Sequence, residues 1–223
     1  MHYSLISGVS IAIINNFKID TLIALGVKDN QTKEPMTVNT LLMAGSISKP
    51  IASICAMSFV QHGDIKLNDN VNVVLQSWKM PDNEYTVNQK VTLHRLLSHR
   101  AGTIEGSYQY SNDKPIPTLL QVLNGESPAV NPPVEVTFVP GSEFIYSNLG
   151  YCVIEQILTD ITGKPFYEIV KQTVFDPLNM NNSSFEQLLP AQRENNYSSG
   201  HYTLGSVVPG KYMITSNIAA GGI

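Results

Sequence analysis

The chain has 223 residues, of which 43% are hydrophobic and only 14% are charged, and its net charge at pH 7 is −4. This length and hydrophobic content suit one globular domain, or one domain with a subdomain. No basic cluster provides the electrostatic surface that nucleic-acid binding needs, and no apolar run is long enough to span a bilayer.

The first predicted element is a β-hairpin. Residues 8–14 are rich in β-branched and apolar side chains, Asn15-Asn16 is a turn signal, and residues 19–27 form a second strand pattern. Residues 28–39 are polar and are expected to form a loop. The start of the chain lacks the charged-then-apolar pattern of a secretory leader, which leaves the compartment undetermined.

A helix is predicted over residues 46–62, because Ile51, Ile54, Cys55 and Phe59 lie near helical spacing and Gly63 is a suitable stop. Pro50 must lie in the first turn of this helix. Ser46 would then lie at the positive end of the helix dipole. Lys49 precedes the proline and is therefore expected to be biased away from helical angles.

Four later segments carry helical patterns. Thr92 is a predicted N-cap for a helix through Ser98, ended by Gly102. The other three helices are predicted over 118–124 with Gly125 as the stop, around 154–161 with Gly163 as the stop, and from Pro165 to about residue 175. Residues 67–78 fit either an extended or a helical piece, and residues 108–117 are turn-rich. The turn signals at 131–133 and 140–141 bracket an extended segment, and residues 181–210 are mostly loop.

The spacing of Ser46 and Lys49 suggests a nucleophile and its base. Positions i and i+3 lie on the same face of a helix. A serine hydroxyl is a weak nucleophile until a neighbouring base takes its proton, and a lysine one turn away can be that base where burial favours its neutral form. The spacing S-x-x-K also occurs by chance at solvated helix starts, so alone it is weak evidence of an acyl-transfer site.

Tyr146 is ambiguous when considered alone. It follows the turn at Pro140-Gly141 and precedes the helix around residues 154–161. A tyrosine at such a position is usually a packing residue whose hydroxyl meets a backbone carbonyl. A functional role would require Tyr146 to lie close to Ser46, which the pattern alone does not show.

Four segments together resemble a known family. They are the strand pair over 8–27, residues 43–50 (MAGSISKP) with 62–69 (HGDIKLND), residues 91–103 (VTLHRLLSHRAGT), and residues 140–151 (PGSEFIYSNLGY) with 175–180 (FDPLNM). Their order and spacing are similar to those of the serine β-lactamase and penicillin-binding-protein superfamily, in its class C β-lactamase and D-alanyl-D-alanine carboxypeptidase branch, which also contains esterases.

The resemblance implies a fold and a domain organisation. The fold is α/β of the α+β type, a β-lactamase/transpeptidase-like fold with an antiparallel sheet and a helical subdomain. A single domain over residues 1–223 is expected, with N-terminal strands in 1–45, a mostly helical part in 46–180 and a loop-rich return in 181–223. The family pattern also needs a K-T-G or H-x-G motif on a later strand, and this chain shows none.

The resemblance also implies roles for four residues. Ser46 would be the nucleophile, Lys49 a proton acceptor and local positive charge, Tyr146 a base or a proton donor to the leaving group, and Asn148 a substrate-binding residue. The Ser46 N–H would be one oxyanion donor, and His99 would satisfy neighbouring backbone groups. Whether Lys49 or Tyr146 is the base is left open.

The resemblance predicts an acyl-enzyme on Ser46, formed from β-lactams, D-Ala-D-Ala peptides or related esters and amides, with a small molecule or peptide as the partner. Losing one oxyanion donor costs about a hundred- to a thousand-fold in rate. In the family, the backbone of the late strand that carries the K-T-G or H-x-G motif supplies the second oxyanion donor. Because this sequence shows no such motif, we expect the C-terminal sheet strands to be missing from it and the chain to turn over poorly. The alternatives are a family esterase of short-chain esters and a non-catalytic penicillin-binding-like module. The family is often periplasmic or secreted.

Metal chemistry is not predicted. The five histidines and two cysteines form no H-E-x-x-H motif and no Cys/His cluster, so we expect neither a metal nor another cofactor. Cys55 and Cys152 lie in apolar, helix-patterned runs, where a free cysteine commonly behaves as a small buried hydrophobic residue. Two cysteines also leave one disulfide open.

Overall fold

The computed structural model describes residues 6–106, 108–111, 114–188, 193, 196–216 and 218–223. The chain divides into two units. The hairpin unit comprises Met1–Met43, Ser111–Lys114 and Leu188–Ile214, and the helical unit comprises Ala44–Tyr110, Pro115–Gln187 and Thr215–Ile223. The expectation of one domain over the whole chain stays a prediction.

The hairpin unit begins with the predicted β-hairpin. Strand β1 (Gly8–Asn15) pairs antiparallel with strand β2 (Lys18–Gly26), with Gly8 opposite Gly26 and Asn15 opposite Lys18. The two turn residues, Asn16 and Phe17, both have positive φ, the geometry that matches the twist of a two-residue hairpin. The prediction of a hairpin is confirmed, with strand ends shifted by about one residue.

A buried carboxylate organises the loop after this hairpin. Asp29 accepts hydrogen bonds from the Ser199 hydroxyl at 2.6 Å and from the Gln31 and Thr32 N–H groups at 2.6 and 2.9 Å. These bonds lower the pKa of Asp29 to about 2, and the bond from Ser199 contributes most to this shift. The region after residue 196, predicted to be loop, is thereby fixed to residues near the hairpin.

In the helical unit, the first helix starts with a change of helix type. Gly45–Ile47 form a 3₁₀ turn and α1 runs over Ser48–His62, with Gly63 in the left-handed conformation as its C-cap, as predicted. Pro50 has no N–H to donate to the Ser46 carbonyl, so the α-helical pattern begins after Ser46. The expected bias of Lys49 away from helical angles is not realised, because Lys49 is the second residue of α1.

The second helix is shorter than predicted. Helix α2 covers Leu93–Leu97, and its N-cap Thr92 accepts from the Arg95 N–H at 3.2 Å. It ends at Ser98, and His99 follows with φ 56°, so the prediction that Gly102 stops the helix is wrong. Gly102 is needed for another reason, because a Cβ there would clash with the carbonyl oxygen of Phe138.

The remaining helices end at their predicted signals, but α4 begins earlier than the pattern around 154–161 indicated. Helix α3 (Leu119–Asn124) has a capping box between Thr118 and Gln121 and ends at Gly125. Helix α4 (Asn148–Thr162) starts at the N-cap Ser147 and ends at Gly163. Helix α5 (Phe166–Val170) follows Pro165 and continues as a π-helical turn over Lys171–Phe175.

The short elements complete the described chain. They are strands β3 (Gln109–Ser111) and β4 (Met213–Thr215), helix α6 (Ile218–Gly221), and 3₁₀ turns at Val71–Val73 and Glu84–Thr86. The alternatives for residues 67–78 are thus resolved towards a short helical piece. Between the turn signals at 131–133 and 140–141, where an extended segment was expected, Val136 forms an isolated antiparallel β-bridge with Thr103.

Helix α4 lies at the centre of the helical unit. It contacts α1, α2, α3, α5 and α6, and its residues from Asn148 to Leu158 are buried. Because α4 is surrounded, the residues at its N-terminus have fixed positions relative to α1. Within the part of the chain that the structure describes, no helix is both long and apolar enough to cross a membrane.

Candidate active site

The structure brings three of the four predicted site residues together around one hydroxyl. The Tyr146 hydroxyl donates to Ser46 Oγ at 2.9 Å, and Lys49 Nζ donates to the same oxygen at 3.2 Å. Ser46 is exposed in the 3₁₀ turn that leads into α1, whereas Lys49 is buried. An exposed serine oxygen thus lies between two groups that can exchange protons with it, which is the arrangement that nucleophilic catalysis requires.

Lys49 is held by oxygen atoms and aromatic rings. Its side chain is only 5% exposed, and Nζ also donates to the Ala220 carbonyl at 2.8 Å. Nζ lies 4.7 Å from the centre of the Tyr146 ring and 5.6 Å from that of Tyr151. None of the ion pairs among the described residues involves Lys49. Besides Ser46, the Ala220 carbonyl and the two aromatic rings are therefore the partners of this amine, in place of a carboxylate.

His99 positions the segment that carries Tyr146. The His99 carbonyl accepts from the Ile145 N–H at 2.9 Å, and its Nδ1 accepts from the Ser147 N–H at 3.1 Å. Its ring lies 4.4 Å from the Tyr146 ring. Burial first, and then the charge of Lys49, lower the pKa of His99, which keeps the imidazole neutral and able to accept at Nδ1. This matches the predicted role of satisfying backbone groups.

Asn148 lies at the start of α4. It is the first residue of the helix and is 6% exposed, next to the N-cap Ser147, whose Oγ accepts from the Gly150 N–H at 2.9 Å. Thr103 donates to the same Ser147 oxygen at 3.0 Å, which fixes the helix start. The predicted contact of Asn148 with substrate stays a prediction.

Two further polar residues lie behind Lys49 and were missed at the sequence level. Ser53 Oγ donates to the Lys49 carbonyl at 2.8 Å and lies 3.0 Å from the Tyr151 hydroxyl. Burial raises the pKa of Tyr151, so its hydroxyl stays protonated. Ser53 could have been found from its i+4 spacing to Lys49. The Ala220 carbonyl had no such signal, since every residue carries one.

Neither cysteine supplies a competing nucleophile. Cys55 and Cys152 are free and buried, so the disulfide left open by the sequence is absent and the prediction of buried thiols is confirmed. Burial raises the pKa of Cys55 to about 11 and that of Cys152 well above its ordinary value. Both thiols stay protonated at neutral pH. The described residues also contain no group of three or more His, Cys, Asp or Glu side chains that could hold a metal ion.

Comparison with known proteins gives matches along almost the whole chain. The family model described as Beta-lactamase matches residues 2–223. Protein flp of Staphylococcus aureus (strain COL) is 27% identical over 216 residues, which cover 95% of this chain and 40% of that protein. Beta-lactamase of Pseudomonas fluorescens is 25% identical over 203 residues, which cover 91% of this chain and 52% of that protein.

A solved structure shows the same arrangement of elements. The octameric penicillin-binding protein homologue from Pyrococcus abyssi matches with a TM-score of 0.80 at 25% identity, covering 100% of this chain and 50% of that one. The present chain therefore spans about half the length of these relatives, or less.

Proposed function

Because the chain belongs to the Beta-lactamase family and has about half of its β-lactamase/transpeptidase-like fold, we propose that it is a serine hydrolase that forms an acyl-enzyme through Ser46. One observation carries this proposal. The hydroxyl of Ser46 meets both Lys49, three residues away, and Tyr146, 100 residues away.

The proposed reaction has two steps. Ser46 Oγ attacks a carbonyl carbon while its proton passes to Lys49 Nζ or Tyr146 Oη, and the C–N or C–O bond to the leaving group breaks as that group takes up a proton from the same pair. Water then attacks the acyl carbon and loses a proton to the same pair. The bond between the acyl carbon and Ser46 Oγ breaks, the acid is released, and Oγ takes up a proton from that pair. Neither step needs a metal or an external oxidant.

The helix start contributes to the proposed transition state. The first N–H groups of a helix have no acceptor within that helix, and they lie at its positive end. The Ser46 N–H would therefore stabilise the developing oxyanion. Asn148, at the start of α4, would hydrogen-bond the amide of the substrate side chain.

We propose β-lactams, peptides ending in D-Ala-D-Ala, or related esters and amides as substrates. The names of the matching relatives, a beta-lactamase and a penicillin-binding protein homologue, support the first two. The three classes share a carbonyl next to an amine or alcohol leaving group. A chromogenic cephalosporin, a D-Ala-D-Ala peptide and a short-chain nitrophenyl ester, assayed side by side, would separate them.

Intact mass after incubation with penicillin tests the proposal directly. Opening of a β-lactam ring releases no leaving group, so the protein should gain the mass of one whole penicillin molecule. Ser46→Ala should abolish the adduct, whereas Ser58→Ala, a serine three turns along α1 that lies near His62, should retain it.

A non-catalytic binding module predicts a different result. It would bind penicillin without a Ser46-dependent mass increase. An adduct that persists in Ser46→Ala, or no adduct with any of the three substrate classes, would contradict the proposed function.

A further inference from the structure

A short segment, residues 218–223, is anchored beside Ser46 and Lys49. Two of its backbone groups bond to side chains of α1, since the Ala220 carbonyl accepts from Lys49 Nζ and the Ile223 N–H donates to Ser48 Oγ at 2.9 Å. Three further hydrogen bonds anchor the segment. The Gly222 carbonyl accepts from the Gln187 side chain, and the Ile223 carbonyl accepts from the Ala44 N–H. The Ala219 N–H donates to the Glu155 side chain.

Glu155 is the unusual anchor. It lies on α4 and is 4% exposed, and its Oε2 accepts from the Ala219 N–H at 3.0 Å. Placing a carboxyl group in the core is costly unless it is hydrogen-bonded. The proposed reaction gives Glu155 no direct role, because the side chain is buried behind α6.

Glu155 and Lys49 bond to adjacent residues of α6. Glu155 fixes the Ala219 N–H, and the carbonyl of the next residue, Ala220, accepts from Lys49 Nζ at 2.8 Å. The bond from Nζ to Ser46 Oγ is longer, at 3.2 Å. The carbonyl is therefore the closer of these two oxygen partners of the amine.

We propose that Glu155 is a positioning residue for Lys49, acting through α6 to hold the Ala220 carbonyl that keeps Lys49 Nζ next to Ser46 Oγ. The expected effect on the acylation rate rests on the proposed function, whereas the expected effect on the position of Lys49 Nζ does not. A lysine side chain has many rotamers to lose. Without a fixed acceptor, Nζ would sample positions away from Ser46, and displacement by about 1 Å can cost about a hundred-fold in rate.

The protonation of Glu155 supplies a conservative variant. Burial raises the pKa of Glu155 to about 8, so the side chain is a neutral carboxylic acid at neutral pH. Glutamine has the same shape and keeps an oxygen that can accept from the Ala219 N–H. Methionine fills similar space without that acceptor and adapts to irregular surroundings.

The test compares Glu155→Met, Glu155→Gln and a matched control, Gln156→Leu. Gln156 is the next residue of α4, is equally buried and donates to Asp160 at 2.8 Å, away from α6. Two quantities are measured for each variant. One is the rate constant of Ser46 acylation by penicillin, normalised to the folded fraction. The other is the side-chain ¹⁵N NMR signal of Lys49, assigned by its loss in Lys49→Arg.

We expect Glu155→Met to slow acylation about a hundred-fold and to shift the Lys49 signal. In Glu155→Gln and Gln156→Leu, the acylation rate constant and the Lys49 signal should both stay near their wild-type values. If Glu155→Met does not fold, Glu155→Leu replaces it, with the same expectation for the folded fraction.

A purely structural role for Glu155 predicts another pattern. Glu155→Met would then lower only the folded fraction, as Gln156→Leu does, and would leave the Lys49 signal and the normalised rate unchanged, which would overturn the inference. If the wild-type protein forms no Ser46 adduct, the proposed function fails, and the Lys49 signal alone decides the role of Glu155.

Discussion

At the scale of single residues, Tyr146 touches the site with two different parts of its side chain. Its hydroxyl bonds to Ser46 Oγ at 2.9 Å, whereas its ring lies against Lys49 Nζ at 4.7 Å from the ring centre. Tyr146→Phe removes the first contact and keeps the second. We expect the acylation rate to fall by about 10²–10⁴-fold, the usual contribution of a positioned proton donor or acceptor, with little change in stability.

Tyr151→Phe is the matched control for that prediction. The Tyr151 hydroxyl bonds to Ser53 rather than to Ser46, and its ring remains beside Lys49 after the substitution. Acylation by penicillin, followed by intact mass over time, should be slowed far more by Tyr146→Phe than by Tyr151→Phe. Equal rates in the two variants would argue against any role for the Tyr146 hydroxyl in proton transfer.

The residues of the site differ in how far the sequence could predict them. The i, i+3 spacing of Ser46 and Lys49 predicts their contact from helix geometry alone. The approach of Tyr146 could be expected only from the resemblance to a family, since no periodicity relates residues 100 positions apart. The Ala220 carbonyl and Glu155 were not predicted, because a backbone acceptor has no sequence signature and a glutamate in an apolar helix face does not reveal its partner.

At the scale of elements, the helix ends are set by local side chains. Thr118 accepts from the Gln121 N–H at 3.3 Å, and the Gln121 side chain accepts from the Thr118 N–H at 2.9 Å. Thr118→Ala removes half of this capping box. We expect a loss of about 1 kcal/mol in the free energy of unfolding, measured by denaturant titration with the fluorescence of Trp78, a core residue of the helical unit.

Thr118→Ser keeps the hydroxyl and serves as the control for the capping prediction. Because Thr118 is exposed, loss of its methyl group should change packing little. The serine variant should therefore unfold close to wild type. A serine variant as unstable as the alanine variant would show that the methyl group, rather than the cap, stabilises α3.

Element ends were predictable where a cap or a left-handed glycine determines them. Gly63, Gly125 and Gly163 end α1, α3 and α4 as expected. Helix α2 ends within one residue of its predicted end at Ser98, but the residue that terminates it was not predictable, because His99 adopts the left-handed conformation that glycine normally occupies. Its ring packs between aromatic residues and its Nδ1 binds the Ser147 N–H, so tertiary contacts hold it there.

At the scale of the whole molecule, backbone hydrogen bonds between distant residues fix segments whose structure the sequence pattern does not predict. In the hairpin unit, the Leu41 N–H donates to the Asn196 carbonyl and the Ser199 N–H donates to the Lys28 carbonyl. These partners are more than 150 positions apart, so residues 196–199 were predicted only as loop. The α+β class itself came from the resemblance, and the match to a solved structure confirms the β-lactamase/transpeptidase-like fold.

The pH dependence of the helical unit follows from its buried acid. The pKa of Glu155 is raised by burial from 4.5 to about 8, so between these values the folded unit binds a proton that the unfolded chain has lost. Stability from this group is therefore fully present below about pH 4.5 and is lost as the pH rises towards about 8. His99 acts in the opposite direction, because its pKa is lowered on folding from 6.5 and the unfolded chain binds the extra proton.

Comparing wild type with Glu155→Gln separates these two contributions, since His99 is common to both proteins. The difference between their free energies of unfolding, followed by Trp78 fluorescence, should change steadily in favour of the glutamine variant from about pH 4.5 to about pH 8. Cys152, the thiol beside Glu155, stays protonated over this range and adds no slope. A constant difference across the range would mean that Glu155 is ionised in the folded unit, and that the Ala219 N–H of α6 donates its hydrogen bond to a carboxylate stabilised within the core.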